Sequence, residues 1–405
     1  MEPVAGLDIG SSRVIAVVSG KRDPAAPAAR RLSYGYSYAV GIRKGQVIDV
    51  SSLAGSIREA LDMAASAAGV KVEAVYAGFP GHTVEFYIKK SSSLISKSKR
   101  VTQQDMERVK RLALVSDFPQ GRRVIQAAPF EYMLDGVPVG GNPDGMTCSR
   151  LGVESLVVTA DSDLLEKLTE AVHLAGARII DWLPSTLAAG EMAVSSARGQ
   201  VGVALVDLGE SGTSVTIYNY GRPLAYEWLP VGGGHITSDL AICLRTTLEA
   251  AEGLKKEIGL EGAGSRDESI TVPRLSGVGF NDIPPQSAVR VIEARTGEIL
   301  DLVRSSIIRL TGACNLSGGI VLVGGGSHIR GLGDYASKYL EIAVEPFSPN
   351  SGGKDVFEKY PGLAASFTGA LGLLKYFARE PNTLPLTRQQ EDFWSKVKGL
   401  FKVSQ

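Results

Sequence analysis

Two stretches of this 405-residue chain spell the same local plan, and that repetition limits the fold more than any other feature. Val4–Ile9 and Val14–Ser19 read as strands joined at Gly10-Ser11-Ser12. A third strand is expected at Ser33–Gly41, after the loose, Ala- and Pro-containing Lys21–Arg31, and a helix near Ser52–Ala68. About 200 residues later Val201–Leu208 and Ser214–Asn219 meet at Gly209-Glu210-Ser211-Gly212, and a third strand, Leu224–Pro230, runs into Gly232-Gly233-Gly234 and a helix. Each copy places an aspartate, Asp8 or Asp207, at the end of its first strand, followed by small residues, so both turns can bring backbone N–H groups against an anion. Facing each other, two such hairpins would clamp a phosphate. The two aspartates could hold hydrated Mg²⁺ between them, because that ion prefers one or two carboxylates plus waters and phosphate oxygens. Taken singly, Asp-x-Gly after a strand is an ordinary β-turn. Taken as a repeat, it points to a site.

Between the copies the composition changes. Val101–Val115 reads as a helix announced by the capping box Thr102-x-x-Asp105, with strands at Arg123–Glu131 and Leu156–Thr159 and a helix at Leu164–Leu174, as in an inserted α+β unit. The second half adds helices at Thr237–Ile258 and Ala288–Thr311, then a buried strand, Gly319–Val323. A chain of this length with 44% hydrophobic residues supports more than one core. Lys+Arg and Asp+Glu both number 43, so no excess charge draws the chain to nucleic acid or lipid as a whole. Cys148, Cys243 and Cys314 are far apart and form no C-x-x-C, which argues against a disulfide framework or a zinc site and suits a reducing cytosol. Glu2 and Asp8 stand where a signal peptide needs a basic then an apolar run, and no window offers the roughly 18 apolar residues of a spanning helix, so any membrane contact is expected to be peripheral.

The third glycine cluster, Gly324-Gly325-Gly326-Ser327-His328, follows the buried strand and opens a helix. Glycine there lets the backbone approach a flat ring or a ribose, which in a chain with two phosphate turns suggests an adenosine pocket. His328 could line it or simply start the helix. His82, His173, His235 and His328 show no metal-ligand spacing. Glu252 and Lys255 share a helix face and could reach ribose hydroxyls and an adenine edge, the plainer alternative being an exposed ion pair. At the far end, Phe393, Trp394, Val397, Leu400 and Phe401 gather into a stripe about 120° wide on a helix, flanked by Lys396 and Lys398 with Lys402 beyond. That pattern predicts a helix lying on an anionic bilayer, detached from the rest by the linker Arg379–Gln390 with Pro381 and Pro385.

Two phosphate turns and an adenosine turn, with Glu-x-x-Lys between the last two, resemble the fold of actin, heat-shock chaperones and sugar kinases. Further segments narrow the choice: Val101-Thr102-Gln103-Gln104-Asp105, Arg123-Val124-Ile125-Gln126-Ala127-Ala128-Pro129-Phe130-Glu131-Tyr132, Thr237-Ser238-Asp239-Leu240-Ala241, Glu268-Ser269-Ile270-Thr271-Val272-Pro273 and Val291-Ile292-Glu293-Ala294-Arg295. They closely resemble the FtsA family of bacterial cell-division proteins, from Val4 to about Tyr376 and again at the last helix. The resemblance implies an α/β, actin-like (ribonuclease H-like) two-domain fold with an inserted α+β subdomain and a C-terminal amphipathic helix. The implied limits are residues 1–82, 160–195 and 355–378 for the first domain, 83–159 for the insertion and 196–354 for the second domain, whose outer lobe is about 240–310. The linker is then 379–390 and the membrane-targeting helix 391–405.

The implied nucleotide site takes Asp8, Gly10, Ser11, Ser12 and Arg13 from the first turn and Asp207, Gly209, Gly212 and Thr213 from the second, with Gly233, Glu252, Lys255, Gly324, Gly325, Gly326 and His328 completing it around ATP and Mg²⁺. The implied partners are the tail of the tubulin-like protein FtsZ, docked near Arg295, other copies of the chain, the inner membrane at the septum, and further division proteins on the insertion; nucleic acid is not among them. Two departures bear on chemistry. Glu210-Ser211 replaces the family's Gly-Gly and brings a carboxylate near the phosphates, which repels them and favours Mg²⁺-dependent binding. Leu183 stands where hydrolysing chaperone-type relatives place a Glu, and leucine cannot orient water. Weak or absent ATPase activity and a scaffolding role are therefore expected. A pilus-platform protein of the PilM type shares the fold but not the last helix, and a kinase would need a catalytic carboxylate for which the sequence offers no compelling position.

Overall fold

The computed structural model describes residues 4–23, 26–95, 100–114, 118–261, 269–312, 316–347 and 366–378. The linker and the amphipathic segment, with Phe393, Trp394, Lys396, Val397, Lys398, Leu400, Phe401 and Lys402, lie outside the described residues. The described residues divide into two compact units, one built on residues 83–169 and the other on residues 4–82 and those between 170 and 376.

In the larger unit β1 (Val4–Ile9) pairs antiparallel with β2 (Arg13–Asp23), which pairs in turn with β3 (Ala26–Tyr38). The stretch Lys21–Arg31, expected to be loose, instead extends this hairpin: Arg22 pairs with Arg30 and Asp23 with Ala26. Register shifts between Ser19 and Asp23 let a proline-containing stretch stay paired where strict alternation would fail. The two-residue strands β4 (Ile42–Arg43) and β5 (Gln46–Val47) turn at Lys44 and Gly45, both with positive φ, as a tight hairpin requires. Helix α1 (Val50–Ala68) starts where the Asp49 carboxylate accepts the Ser52 N–H and stops at left-handed Gly69; Leu53, Ile57, Ala60, Leu61 and Ala64, at i, i+4, i+7, i+8 and i+11, are on its buried face. Next, β6 (Ala74–Phe79) runs parallel to β1.

The smaller unit is an antiparallel sheet with a helix packed on it. Its strands β7 (Glu85–Leu94), β8 (Arg122–Leu134), β9 (Val137–Val139) and β10 (Arg150–Asp161) lie in the order β7-β10-β8-β9. Helix α2 (Gln103–Leu114) has the expected capping box: Thr102 Oγ1 accepts from the Asp105 N–H, and Asp105 Oδ2 from the Thr102 N–H. Its Met106 and Val109 pack with Tyr132, Leu151 and Val153 of the sheet.

Helix α3 (Ser162–Leu174) leads back to β11 (Arg178–Pro184), which completes the first sheet in the order β11-β6-β1-β2-β3. After α4 (Ser185–Ala193) and α5 (Ser196–Val201) the plan repeats. Val201 ends α5, which Ser195 caps through the Arg198 N–H, rather than opening a strand, because Gly202, at φ 90°, turns the chain out of the helix before the strand begins. Then β12 (Val203–Leu208), β13 (Thr213–Asn219) and β14 (Arg222–Leu229) form the antiparallel half of a second sheet, and β17 (Ile320–Val323) and β18 (Val344–Pro346) the parallel half, in the order β14-β13-β12-β17-β18. In both sheets the first strand of the repeat has an antiparallel neighbour on one side and a parallel one on the other.

The single helix expected over Thr237–Ile258 is two, α6 (Gly233–Cys243) and α7 (Leu248–Ile258). Arg245 takes φ 52°, the Thr246 hydroxyl donates to the Pro273 carbonyl, and Thr247 caps α7 through the Ala250 N–H. The left-handed Arg245 thus turns the chain out of α6, Thr246 ties the junction to the hairpin strand Ile270–Pro273, and Thr247 satisfies a free N–H of the new helix. Between α7 and β17 lie the hairpin β15 (Ile270–Pro273) and β16 (Phe280–Ile283) and the long α8 (Pro285–Thr311). The glycine cluster after β17 forms a 3₁₀ turn, Gly325–His328, and α9 (Leu332–Leu340) begins only after Gly331. Ile236, Leu240, Ile292, Leu300 and Leu322 belong to one core beneath the second sheet.

The last described helix, α10 (Thr368–Ala378), comes so close to α4 that a Cβ on Gly372 would overlap the carbonyl of Ala188. Alanine in a helix is intrinsically better than glycine by about 1 kcal/mol, whereas overpacking costs typically about 1–3 kcal/mol and a backbone obstacle cannot rotate away. The clash outweighs the propensity. Gly372→Ala should therefore lower the urea midpoint, and an unchanged or higher midpoint would show that the two helices are not in contact there.

Candidate functional site

The two repeated turns are built alike. In the first, the Gly10 N–H donates to the Arg13 carbonyl at 2.9 Å, and in the second the Gly209 N–H donates to the Gly212 carbonyl at 3.0 Å. Each turn leaves two successive amides, those of Ser11 and Ser12 and those of Glu210 and Ser211, with no hydrogen bond among the described residues. The aspartates occupy equivalent places, Asp8 opposite Ile15 and Asp207 opposite Ser214.

Both carboxylates keep a small exposed edge but are surrounded by protein. Asp8 accepts a hydrogen bond from the Ser185 hydroxyl at 2.5 Å; a Cβ on Gly369 would strike its Oδ2, and one on Gly78 would crowd its Oδ1 at 3.1 Å. Asp207 presses on Gly324, whose φ of 82° and missing Cβ make the contact possible. Burial lifts Asp8 to a pKa of about 6, with the Ser185 bond pulling the other way. Asp207 is lifted to about 7, first by burial and then by the charge of Asp8. Two carboxyl groups that sense each other in this way suit a divalent cation, which would remove the burden of both. They are the residues that fit Mg²⁺.

The second turn is held from behind. Gly233 and Gly234 at the start of α6 donate their N–H groups to the carbonyls of Gly209 and Glu210, each at 2.8 Å. A Cβ on Gly232 would lie 2.5 Å from the Gly209 carbonyl oxygen and 2.8 Å from that of Glu210. The three glycines thus let the helix end dock on the turn's carbonyls. The α6 N-terminus has spent its first donors on protein, and the turn's amides remain for a ligand. Glu210 lies along this helix start, its Oε1 3.4 Å from where a Gly234 Cβ would be. Its pKa is raised by burial, with Lys255 opposing and Glu252 adding to the rise.

Lys255 is buried beneath α6 rather than facing a cleft. Its ammonium donates to the Gly233 carbonyl at 3.1 Å, to Thr237 Oγ1 at 2.8 Å and to Glu252 Oε2 at 2.5 Å. All three protons are used, so Lys255 ties α7 to the helix start that holds the turn. Glu252 also receives the Thr237 hydroxyl and a contact from Lys256. In the third cluster Gly324 and Gly326 pack on Leu208, while Gly325 and His328 are exposed. Arg13 places its guanidinium 6.0 Å from the Tyr38 ring centre. The Thr213 hydroxyl donates to the Val231 carbonyl at 2.7 Å. Leu183 is buried in β11. Arg295 is far along α8 from these turns in sequence and binds Asp239 of α6 through Nε at 2.6 Å and Nη2 at 3.2 Å, with Glu298 on Nη1. The two parallel bonds that its guanidinium could offer a peptide carboxylate are already made to Asp239.

Several residues near the site are not among the predicted site residues. Besides Ser185, the hydroxyl of Ser214 donates to Thr186 Oγ1 at 3.0 Å, which lies 3.4 Å from Thr216 Oγ1, so a row of hydroxyls joins α4 to β13. A hydroxyl pair following Trp182-Leu183-Pro184 was the available signal, but only the fold shows that it meets Asp8 and β13.

Residues 204–367 match the model of the family described as Cell division protein FtsA, and residues 81–159 that of the SHS2 domain inserted in FTSA. The Cell division protein FtsA of Bacillus subtilis (strain 168) is 31% identical over 354 residues, covering 86% of this chain and 79% of the relative. That of Escherichia coli (strain K12) is 28% identical, covering 92% and 90%, and that of Borreliella burgdorferi 26%, covering 98% of each. Among solved structures, a PilM-PilN type IV pilus biogenesis complex matches with TM-score 0.65 at 20% identity over 93% of this chain and 99% of that one. MreB5 of Spiroplasma citri bound to ADP matches with TM-score 0.51 at 16% identity, covering 90% and 98%. These two share the actin-like fold, whereas the sequence relatives match over most of the chain, and the chain belongs to the FtsA family of cell division proteins.

Proposed function

We propose that this protein binds ATP with Mg²⁺ between the two turns, polymerises, and anchors FtsZ filaments to the cytoplasmic face of the inner membrane at the septum. The observation that carries the nucleotide part is the pair of like-built turns, each with two uncommitted amides and an aspartate, on equivalent strands of two sheets. The amides of Ser11, Ser12, Glu210 and Ser211 would receive phosphate oxygens, and Asp8 and Asp207 would hold the waters of Mg²⁺. When bound, that ion supplies the positive charge that phosphates need beside four carboxylates, those of Asp8, Asp207, Glu210 and Glu252. Gly324 to Gly326 and half-exposed Glu252 are assigned to the adenosine end, with Lys255 and Gly233 supporting them from behind. Since Leu183 offers no base, ATP acts chiefly as an assembly ligand that selects one conformation.

The membrane part rests on sequence alone, on the stripe of Phe393, Trp394, Val397, Leu400 and Phe401 edged by lysines. For the FtsZ tail, Arg295 stands on the same lobe as exposed Ile242, Leu248, Leu275, Val278 and Phe280. There the hairpin β15–β16 meets the α6–α7 junction through the Leu275 N–H and the Arg245 carbonyl. Apolar side chains with arginines beside them suit an acidic, partly apolar peptide. Other division proteins are assigned to the insertion. A pilus-platform role has support from fold alone.

Three outcomes check these assignments. Asp207→Ala should weaken ATP at least tenfold in a titration with Mg²⁺, about 1.4 kcal/mol; unchanged affinity would sink the clamp.

The second concerns pH. Folded pKa values of about 6 and 7 exceed the ordinary 3.8, so between pH 4 and 7 the native state binds more protons than the unfolded one. Without nucleotide or Mg²⁺, stability from these groups is therefore highest at low pH and is lost as pH rises through 7. Asp207→Asn should raise the urea stability at pH 8 by roughly 2–4 kcal/mol and leave it nearly unchanged at pH 4. Equal effects at both pH values would mean that the carboxylate is not confined.

Finally, removal of residues 389–405 should leave the protein in the supernatant after sedimentation with anionic vesicles, while ATP affinity and retention of an FtsZ tail peptide persist. Truncated protein that still sediments would rule out the anchor.

A further inference from the structure

Two aromatic side chains of β14 reach from the second sheet to the first. Tyr226 donates its hydroxyl to the carbonyl of Gly81, 2.8 Å away and just beyond the end of β6. Trp228 is two residues further along and on the same face of the strand, and it lies edge-on to the His82 ring with centroids 5.9 Å apart. The same indole covers Gly212 of the second turn, where a Cβ would run into it. Gly81 and Gly45 make room in the same manner, one for the Tyr226 hydroxyl and the other for the His82 ring. One strand therefore rests on the phosphate turn and grips the Gly81–His82 segment at once.

Neither contact is what a core needs. A neutral hydroxyl-to-carbonyl bond adds only modestly to stability, because water can take its place. Burial, with the charge of Asp207 behind it, pushes the Tyr226 phenol well above its ordinary pKa, so the hydroxyl remains a donor at any physiological pH. The contacts are instead placed where the lobes would separate. Thr186, Ser214 and Thr216 join the same two lobes nearer the aspartates, and they too use hydroxyls that water can replace.

Resting on the assignment of the two turns to a nucleotide, we propose that Tyr226 and Trp228 are positioning residues, a clasp that makes occupancy of the 209–213 turn and closure of the two lobes a single event. A ligand that presses on the Gly212 backbone moves the indole lying on it, and the indole cannot move without disturbing His82. In the other direction, the Tyr226 bond to Gly81 holds the lobes so that Asp8 and Asp207 face each other. A contact made only in the closed arrangement adds to the affinity of any ligand that requires that arrangement, and the ligand strengthens the contact in equal measure.

Hydrogen exchange on the full chain with and without MgATP, in wild type and Tyr226→Phe, tests this. The variant keeps the ring and loses the hydroxyl, with its bond to the Gly81 carbonyl and its contact with Ser214, so MgATP affinity should fall about 2- to 10-fold. In wild type MgATP should slow exchange in the turns 10–13 and 209–213 and also around Gly81 and His82. In Tyr226→Phe at saturating MgATP the turns should still be protected, whereas protection around Gly81 should be lost or greatly reduced. Trp228→Leu is the second variant and should uncouple the same segment. Protected turns with an indifferent Gly81 segment in wild type, or with full protection there in both variants, would overturn the clasp and leave the nucleotide assignment standing. No protection at either turn would overturn both.

Discussion

The rest of the molecule depends on bringing two carboxylates together where neither is comfortable. Asp8 and Asp207 sit at equivalent points of two sheets, each crowded by glycine backbone, with their acidities weakened by burial and, for Asp207, by the other's charge. Such a pair is a cost in the folded state unless a cation joins it. The surrounding structure supplies what keeps the pair in place: the Ser185 hydroxyl on Asp8, Gly324 against Asp207, and two sheets whose cores do not involve either group. Stability is given up at one point to hold a function there.

Support for the second turn is indirect and layered. The turn's carbonyls are held by the first amides of α6, the Gly233 carbonyl by Lys255, and Lys255 by Glu252 on α7. Each layer fixes the one before it, so a charged pair several residues from the turn sets the direction in which the turn's amides point. An ion pair on a helix face is usually of little account. Here one partner is buried, and its three donors decide how two helices meet.

Much of this was legible in the residues. The repeated strand–turn–strand plan, the aspartates at the turns and the capping box of α2 depend on nearest neighbours in sequence, and they stand where the pattern put them. What escaped depends on neighbours that only the fold supplies. Lys255 read as a ligand-facing residue because Glu-x-x-Lys shares a helix face, but which way that face points is decided by α6. The break between α6 and α7 was missed because Arg245, Thr246 and Thr247 look acceptable in a helix, and the partner that captures Thr246 is the Pro273 carbonyl, from a distant hairpin. Arg295 similarly had its partner, Asp239, on another helix. Ser185 and the hydroxyls of β13 are ordinary residues in sequence, and only the pairing of α4 with two sheets gives them work.

The fit of Trp228 over Gly212 has a consequence for how this chain can change over time. An indole occupies the space where any other residue at 212 would put its first carbon, and a tyrosine hydroxyl does the same at Gly81. Neither position of a pair can drift alone: a side chain at 212 demands a smaller residue at 228, and a smaller residue at 228 leaves a gap that a side chain at 212 would fill. The two turns of the repeat therefore evolve under different rules. The first has Arg13 at the place of Gly212, and the second moves only in step with a strand that lies fifteen or so residues further along the chain.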